Sequence, residues 1–388
     1  MIFVALLFIV TFLIFSPKVF LLLYLVIKYY AKPVNYNYTK VYEFIIFLYL
    51  SVCLSIMLAN RPYYIGSNIG FGEDMFHYYN AFEWIINASF TEFFTEFSTV
   101  TNLTGSAEPL FWLVIKFISI IFQDPYYIHV SLTVLGCFLI FIAGQLWSKS
   151  GLLFLFFYTN TITFFAFQGS AIRSGLAFSF ALLGYVYFLK NKNKWFQLIA
   201  PLVHFSMIPF PVISYISASE FNNTKKRIKL FLFLCLFLSL FSIVAVNSVD
   251  AGLGAKLTAR VSENNELDSS SIIQFLFESL FTIFFTFFIF KNKVDKRLKS
   301  GLAIFLFFAI CLLFVSPTAF SRFYRYEYIL FILIYSSIFI NSAKPIRLIL
   351  LVFSFSWFIF LGFDRFLGVF SEDIFEYINY NIFYIYKY

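Results

Sequence analysis

Ten apolar stretches, most of them about twenty residues long and nearly free of charge, follow one another along this chain: 2–28, 41–59, 126–147, 151–168, 171–189, 229–248, 271–290, 300–316, 326–341 and 345–363. A helix needs about 20 such residues to cross the hydrocarbon core of a bilayer. In lipid every backbone polar group must be satisfied within the chain, so runs of this kind fold as helices. The sequence therefore predicts a single all-α polytopic membrane domain over residues 1–388, with about ten crossings. A soluble fold is excluded by 12% charged against 61% hydrophobic residues, since soluble domains carry about a quarter charged.

Two further segments fit a full crossing poorly. Segment 109–122 is short and carries Lys116, and segment 195–217 is interrupted by Pro201, Pro209 and Pro211. Lys and Arg gather on cytoplasmic loops. The clusters Lys28/Lys32/Lys40, Lys190/Lys192/Lys194, Lys225/Lys226/Arg227/Lys229, Lys291/Lys293/Lys296/Arg297/Lys299 and Lys344/Arg347 all reach one side only if both doubtful segments are re-entrant or broken. Both termini then lie outside. So do an acidic loop over 60–108 with an interfacial helix, a loop over 249–270 and a tail over 364–388.

The net charge of +8 comes from these short topogenic clusters, which gives no nucleic-acid surface. Cys53, Cys137, Cys235 and Cys311 sit inside apolar runs without CxxC spacing, so neither disulfide nor metal is expected from them. The first fifteen residues lack a basic n-region and a small-residue cleavage site, which predicts a retained helix. The 61 Phe and 26 Tyr suit packing and interfacial anchoring. There is no HExxH, P-loop, dinucleotide glycine pattern or DxD-like pair, so no cofactor and no metal are expected.

Four constellations carry chemistry on the predicted outer side. Arg61 and the run from Gly72 to Trp84 alternate charges with aromatic rings, like a helix lying in the interface and roofing a cavity. There Glu73 and Asp74 orient or deprotonate a hydroxyl, or are solvated loop charges, and His77 is an interfacial residue. Arg173 stands at the mouth of a crossing where Gly175 and Ala177 permit close approach. An intramembrane arginine is costly, so it lines a polar interior or snorkels to the interface. His204 sits at the turn of the proline-broken segment, where imidazole can exchange a proton or donate to a phosphate oxygen, or simply hydrogen-bond in the packing. Arg322, Arg325 and Glu327 stand among tyrosines, Tyr324 included, where guanidinium groups bind a diphosphate or anchor headgroups.

In this order the pieces resemble the EpsG and Wzy-type bacterial polysaccharide polymerases. They are Arg61 with Gly72-x-Asp74-x-x-x-Tyr78, Glu108-Pro109, Ile172-Arg173-x-Gly175-Leu176-Ala177, His204-Phe205 and Ser321-Arg322-Phe323. The sequence departs from the pattern by a longer gap between Arg61 and Gly72, and by Glu73 where a Thr-like residue is common. The resemblance implies a metal-independent membrane glycosyltransferase, compatible with a GT-C-like architecture, in the bacterial cytoplasmic membrane with its site facing the periplasm or outside. Its substrates would be oligosaccharide repeat units on undecaprenyl diphosphate, and its partners the bilayer, a chain-length regulator and a flippase. It further implies His204, Arg173 and Asp74 as catalytic groups. Arg322, Arg325, Arg61, Glu73, Tyr78, Glu108 and Tyr324 would contact diphosphate or glycan. The rival readings are a flippase or transporter for the same lipid-linked glycans, and an O-antigen ligase or single-step sugar or acyl transferase.

Overall fold

A computed structural model describes residues 17–30, 36–59, 73–105, 108–169, 171–218, 269–315, 320 and 323–369. The described residues are almost entirely helical, without a strand, and the protein is an all-α polytopic membrane protein. Helices α1 (Pro17–Tyr30) and α2 (Tyr36–Ala59) lead to a set of short helices, α3 (Glu73–Asn87), α4 (Phe90–Thr95), α5 (Phe97–Thr104) and α6 (Pro109–Ser119). After these come α7 (Pro125–Ser148), α8 (Gly151–Thr159), α9 (Ile162–Gly169) and α10 (Ile172–Leu189). Three helices are long and apolar enough to cross a membrane unbroken, at Lys40–Ala59, Pro125–Ser148 and Ile172–Leu189. The predicted crossing at 229–248 lies outside the described residues.

The predicted crossing at 326–341 holds a helix of only 13 residues, Tyr328–Ile340, and the one at 151–168 is not continuous. Segment 151–168 is a broken span: α8 and α9 meet at a 90° bend. The break falls on Thr159, Asn160 and Thr161, where polar side chains compete with the helical backbone. Lys18 of α1 donates from Nζ to the Thr159 carbonyl at 2.6 Å, satisfying an acceptor that the bend releases.

Helices α7 and α10 run parallel and fix the two ends of the molecule. At one end Lys190 Nζ lies 4.9 Å from the Trp147 ring centroid. The basic clusters gather at this end. Asn341 donates to the Lys293 carbonyl at 3.0 Å, Arg347 lies 5.7 Å from the Tyr29 ring, and the Tyr30 hydroxyl donates to the Lys344 carbonyl. Thus four of the five predicted clusters share a face, and the fifth, at 225–229, lies outside the described residues.

Segment 195–217 is a hairpin that rises from this basic end and returns to it. A 3-10 turn (Lys194–Leu198) and α11 (Ile199–Val203) form the first limb, the turn Phe205–Met207 follows His204, and α12 (Pro209–Ala218) forms the second limb. Both limbs meet α10 at adjacent residues. Gln197 packs on Gly184, where an added Cβ would stand 2.7 Å from Gln197 Cα, and Ser217 Oγ lies 3.1 Å from the Tyr185 hydroxyl. His204 is therefore the tip of the hairpin, as its proline pattern predicts.

Segment 109–122 does not cross either. Its helix α6 has 11 residues, too few to span the hydrocarbon core, and its N-terminal end meets Arg173 in the first turn of α10, away from the basic clusters. Helix α3 covers α6 through Met75, Tyr78, Phe82 and Ile85, spaced three and four apart and all buried, which is the stripe an α-helix presents to one side. Lys116, awkward for a span, donates to the carbonyls of Ile85, at 2.9 Å, and Ala88, and so caps the C-terminal end of α3. Helices α13 (Ser269–Ile283, continued by a π-helical turn Phe284–Ile289), α14 (Lys296–Val315), α15 (Tyr328–Ile340) and α16 (Lys344–Val369) complete the described fold. Between α14 and α15 lies the 3-10 turn Tyr324–Glu327.

Candidate functional site

Three segments far apart in sequence bring charged groups to one point. Glu108 precedes Pro109, whose fixed φ suits the first position of α6, so the chain enters the helix with the Glu108 side chain at its N-terminal end. Arg173 lies in the first turn of α10, and His204 has extended backbone at the hairpin tip, between two elements that proline and the turn keep from joining. Glu108 Oε2 accepts from Arg173 Nη1 at 2.7 Å, and Glu108 Oε1 lies 2.8 Å from His204 Nδ1. The Phe205 backbone N–H also points to Oε1, at 3.5 Å.

Burial makes these contacts strong. The Glu108 side chain is 6% exposed, with Arg173 at 18% and His204 at 17%. A carboxylate this buried needs a partner, and the guanidinium offsets its desolvation. Because a carboxylate only accepts, the contact to His204 requires Nδ1 to carry a proton, which makes Nε2 the basic nitrogen of a neutral ring. The assembly is a carboxylate that holds a cation on one side and an imidazole on the other. Gly175, one turn into α10, allows this geometry: an added Cβ would stand 2.9 Å from both the Gln168 side chain and the Phe167 carbonyl.

The turn Tyr324–Glu327 stands beside the hairpin tip. The Tyr326 hydroxyl lies 2.7 Å from Ser206 Oγ, two residues past His204, and the Tyr326 ring packs 5.1 Å from Phe167. Arg325 rides on this turn, half-buried, and its carbonyl lies 3.5 Å from Thr163 Oγ1. Arg61 and Arg322 lie outside the described residues. Glu73 and Asp74 form the first turn of α3, and their side chains lie outside what the structure describes. Helix α3 runs parallel to α6, with Tyr78 at Phe111 and Ile85 at Lys116, so its first turn begins alongside the end of α6 that bears Glu108. Tyr78 itself is buried among Phe82, Phe111 and Trp112, and Tyr324 is 1% exposed and stacked on Phe320. Both rings are packing residues here, and His77 is exposed.

Sequence reasoning missed two features of this region. One is the contact of Tyr326 with Ser206. The other is a buried acidic group on the far side of the same turn, where Glu327 accepts from Ser279 Oγ at 2.8 Å and the Tyr328 hydroxyl lies 2.7 and 2.6 Å from the two oxygens of Glu278. The readable signal was a carboxylate inside each of the runs 271–290 and 326–341, since intramembrane acids keep protein partners.

Fold and centre together define a polytopic helical membrane protein that holds an arginine, a histidine and a bridging glutamate at the tip of a re-entrant hairpin, away from its basic face. The chain belongs to the EpsG family, whose model matches residues 63–382. It is similar to the EPS I polysaccharide export inner membrane protein EpsF of Ralstonia nicotianae (strain ATCC BAA-1114 / GMI1000), with 24% identity over 78% of this chain and 76% of the relative. The protein of the same description from Ralstonia solanacearum is 25% identical over the same shares. No solved structure gives a significant match.

Proposed function

We propose that this protein polymerises lipid-linked oligosaccharide repeat units at the outer face of the cytoplasmic membrane. Membership of the EpsG family and relatives named for the EPS I polysaccharide support a role in polysaccharide biosynthesis. The observation that carries the finer reading is the meeting of Arg173 and His204 on Glu108 at a re-entrant tip. Non-helical backbone at membrane depth is tolerated where protein buries it or water fills a cavity, which suits a polar headgroup site reached from lipid. By the positive-inside rule, the basic face is cytoplasmic, so this centre opens outward.

The reaction is a glycosyl transfer. A terminal sugar hydroxyl of the incoming unit attacks the anomeric carbon of the growing chain. The bond from that carbon to the lipid diphosphate breaks, and its electron pair leaves with the diphosphate. The hydroxyl proton passes to a base, His204 or Asp74. Arg173, Arg322 and Arg325 stabilise the charge that builds on the departing diphosphate, where a partly desolvated setting strengthens each contact. Glu108 keeps Arg173 aimed before substrate arrives. No step in this scheme calls on a metal or cofactor.

The word export in the relatives' names favours a second reading, in which the same cations bind a lipid-linked glycan during transport and no bond is made. Variants Arg173→Ala and His204→Ala, expressed in a strain lacking the native protein, separate the two. The proposal expects cells that still carry single repeat units at the outer face but no long polymer. Long polymer of normal amount from either variant refutes it.

A further inference from the structure

Glu108 matches the family pattern and the sequence suggests that it touches glycan or diphosphate, yet both of its carboxylate oxygens are engaged by protein. Oε2 is held by Arg173 and Oε1 by His204, at 2.7 and 2.8 Å, in a side chain that is 6% exposed. At that exposure the carboxylate is turned to its two protein partners and offers little open surface to a sugar hydroxyl. We infer that Glu108 is a positioning residue, which fixes His204 in the Nδ1–H tautomer and thereby makes its Nε2 the acceptor of the hydroxyl proton. This inference rests on the polymerase reading for its chemistry, but its geometry stands alone.

The surroundings of the imidazole support the assignment. Glu108 from the start of α6 and, through it, Arg173 from α10 bring charge to His204, and the hydroxyls of Ser206 and Tyr326 lie beside the tip. Glu108 stabilises a proton on the ring, while Arg173 opposes a second positive charge. A ring caught between them accepts a proton during reaction and releases it afterwards, as a base near neutral pH must. His129 provides an internal contrast, because its Nε2 lies 2.8 Å from the Gln168 carbonyl, which also only accepts. His129 therefore carries its proton on Nε2 and His204 on Nδ1.

The chain has three histidines, so each can be followed in a solid-state 15N spectrum of the intact, histidine-labelled protein in lipid. The expected result is His129 as the Nε2–H tautomer and His204 as the neutral Nδ1–H tautomer at pH 7 to 8. An Nε2–H His204, or one that stays imidazolium throughout that range, overturns the inference. Turnover of lipid-linked repeat units by Glu108→Gln provides a second readout. A glutamine offers one carbonyl oxygen where two are used, so kcat should fall on the order of 100-fold with KM little changed. With the carboxylate gone, the acid limb of kcat/KM should move to lower pH by about one unit, whereas Glu108→Asp, which keeps the charge, should hold the limb in place. A raised KM with unchanged kcat in Glu108→Gln would make Glu108 a substrate contact and refute its positioning role. Since the tautomer is read without turnover, failure of the polymerase reading would appear as absent polymer with the tautomer intact. An Nε2–H His204 in an active protein refutes this inference alone.

Discussion

Replacing Gly184 by alanine tests whether the hairpin is a rigid support for His204. A Cβ at this position would stand 2.7 Å from Gln197 Cα and 3.1 Å from its backbone nitrogen. Ordinary carbon contacts are about 3.5–4.0 Å, so the first limb must retreat by about 1 Å. The obstacle is backbone, which cannot rotate aside as a side chain would. His204 lies seven residues along the same limb, and a shift of that size at a reacting group costs about 100-fold in rate. The overpacking itself should cost about 1–3 kcal/mol. Both quantities are measured on the purified variant, as polymer formed per folded molecule and as thermal stability in the same detergent. Leu198→Ala, at a 42% exposed position of the limb, serves as the control and should leave turnover near normal. Wild-type turnover from Gly184→Ala would refute the idea that packing against α10 positions the tip.

Three other outcomes follow from the structure. Glu43, buried at the basic end, joins Lys28, Gln145 and Ser150, so Glu43→Ala should lower stability by about 3 kcal/mol and leave turnover per folded molecule unchanged in a thermal-shift and activity series. Lys116→Met should cost about 1.5–3 kcal/mol through the uncapped carbonyls of Ile85 and Ala88, with hydrogen exchange rising first in the last turn of α3. At Ser89, backbone N–H and hydroxyl bonds hold the Glu92 carboxyl below its usual range, so their support of α4 is complete above the ordinary glutamate range and disappears as pH falls through the lowered folded value. Amide protection factors over Phe90–Thr95 should therefore drop on acidification in the wild type; Glu92→Gln should remove that dependence, whereas Ser89→Ala, which keeps the backbone N–H, should retain part of it.

Much of the topology was legible because its signals are local. Lysine clusters mark one face through the cost of moving charge across lipid, and Pro201, Pro209 and Pro211 interrupt a helix that then turns at His204. The bend between α8 and α9 escaped because no proline or glycine stands at Thr159–Thr161, and the apolar run around it reads as continuous. The centre was legible only in part. Arg173 and His204 announce themselves as costly residues in apolar surroundings, but their common partner does not. Glu108 lies 65 residues from one and 96 from the other, and no periodicity reports a meeting over such separations. Tyr78 and Tyr324 sit within the motifs, yet their rings serve packing, a distinction that needs the neighbouring helices.

The most direct measurement reconstitutes the purified protein in liposomes with a defined, externally added lipid-linked repeat unit, and follows products by gel and mass spectrometry. The account predicts a ladder of glycans rising by one unit, with one lipid diphosphate released for each bond formed, and loss of both in His204→Ala. Units that cross the bilayer or stay as they were, with no new glycosidic bond from a folded protein, would contradict it.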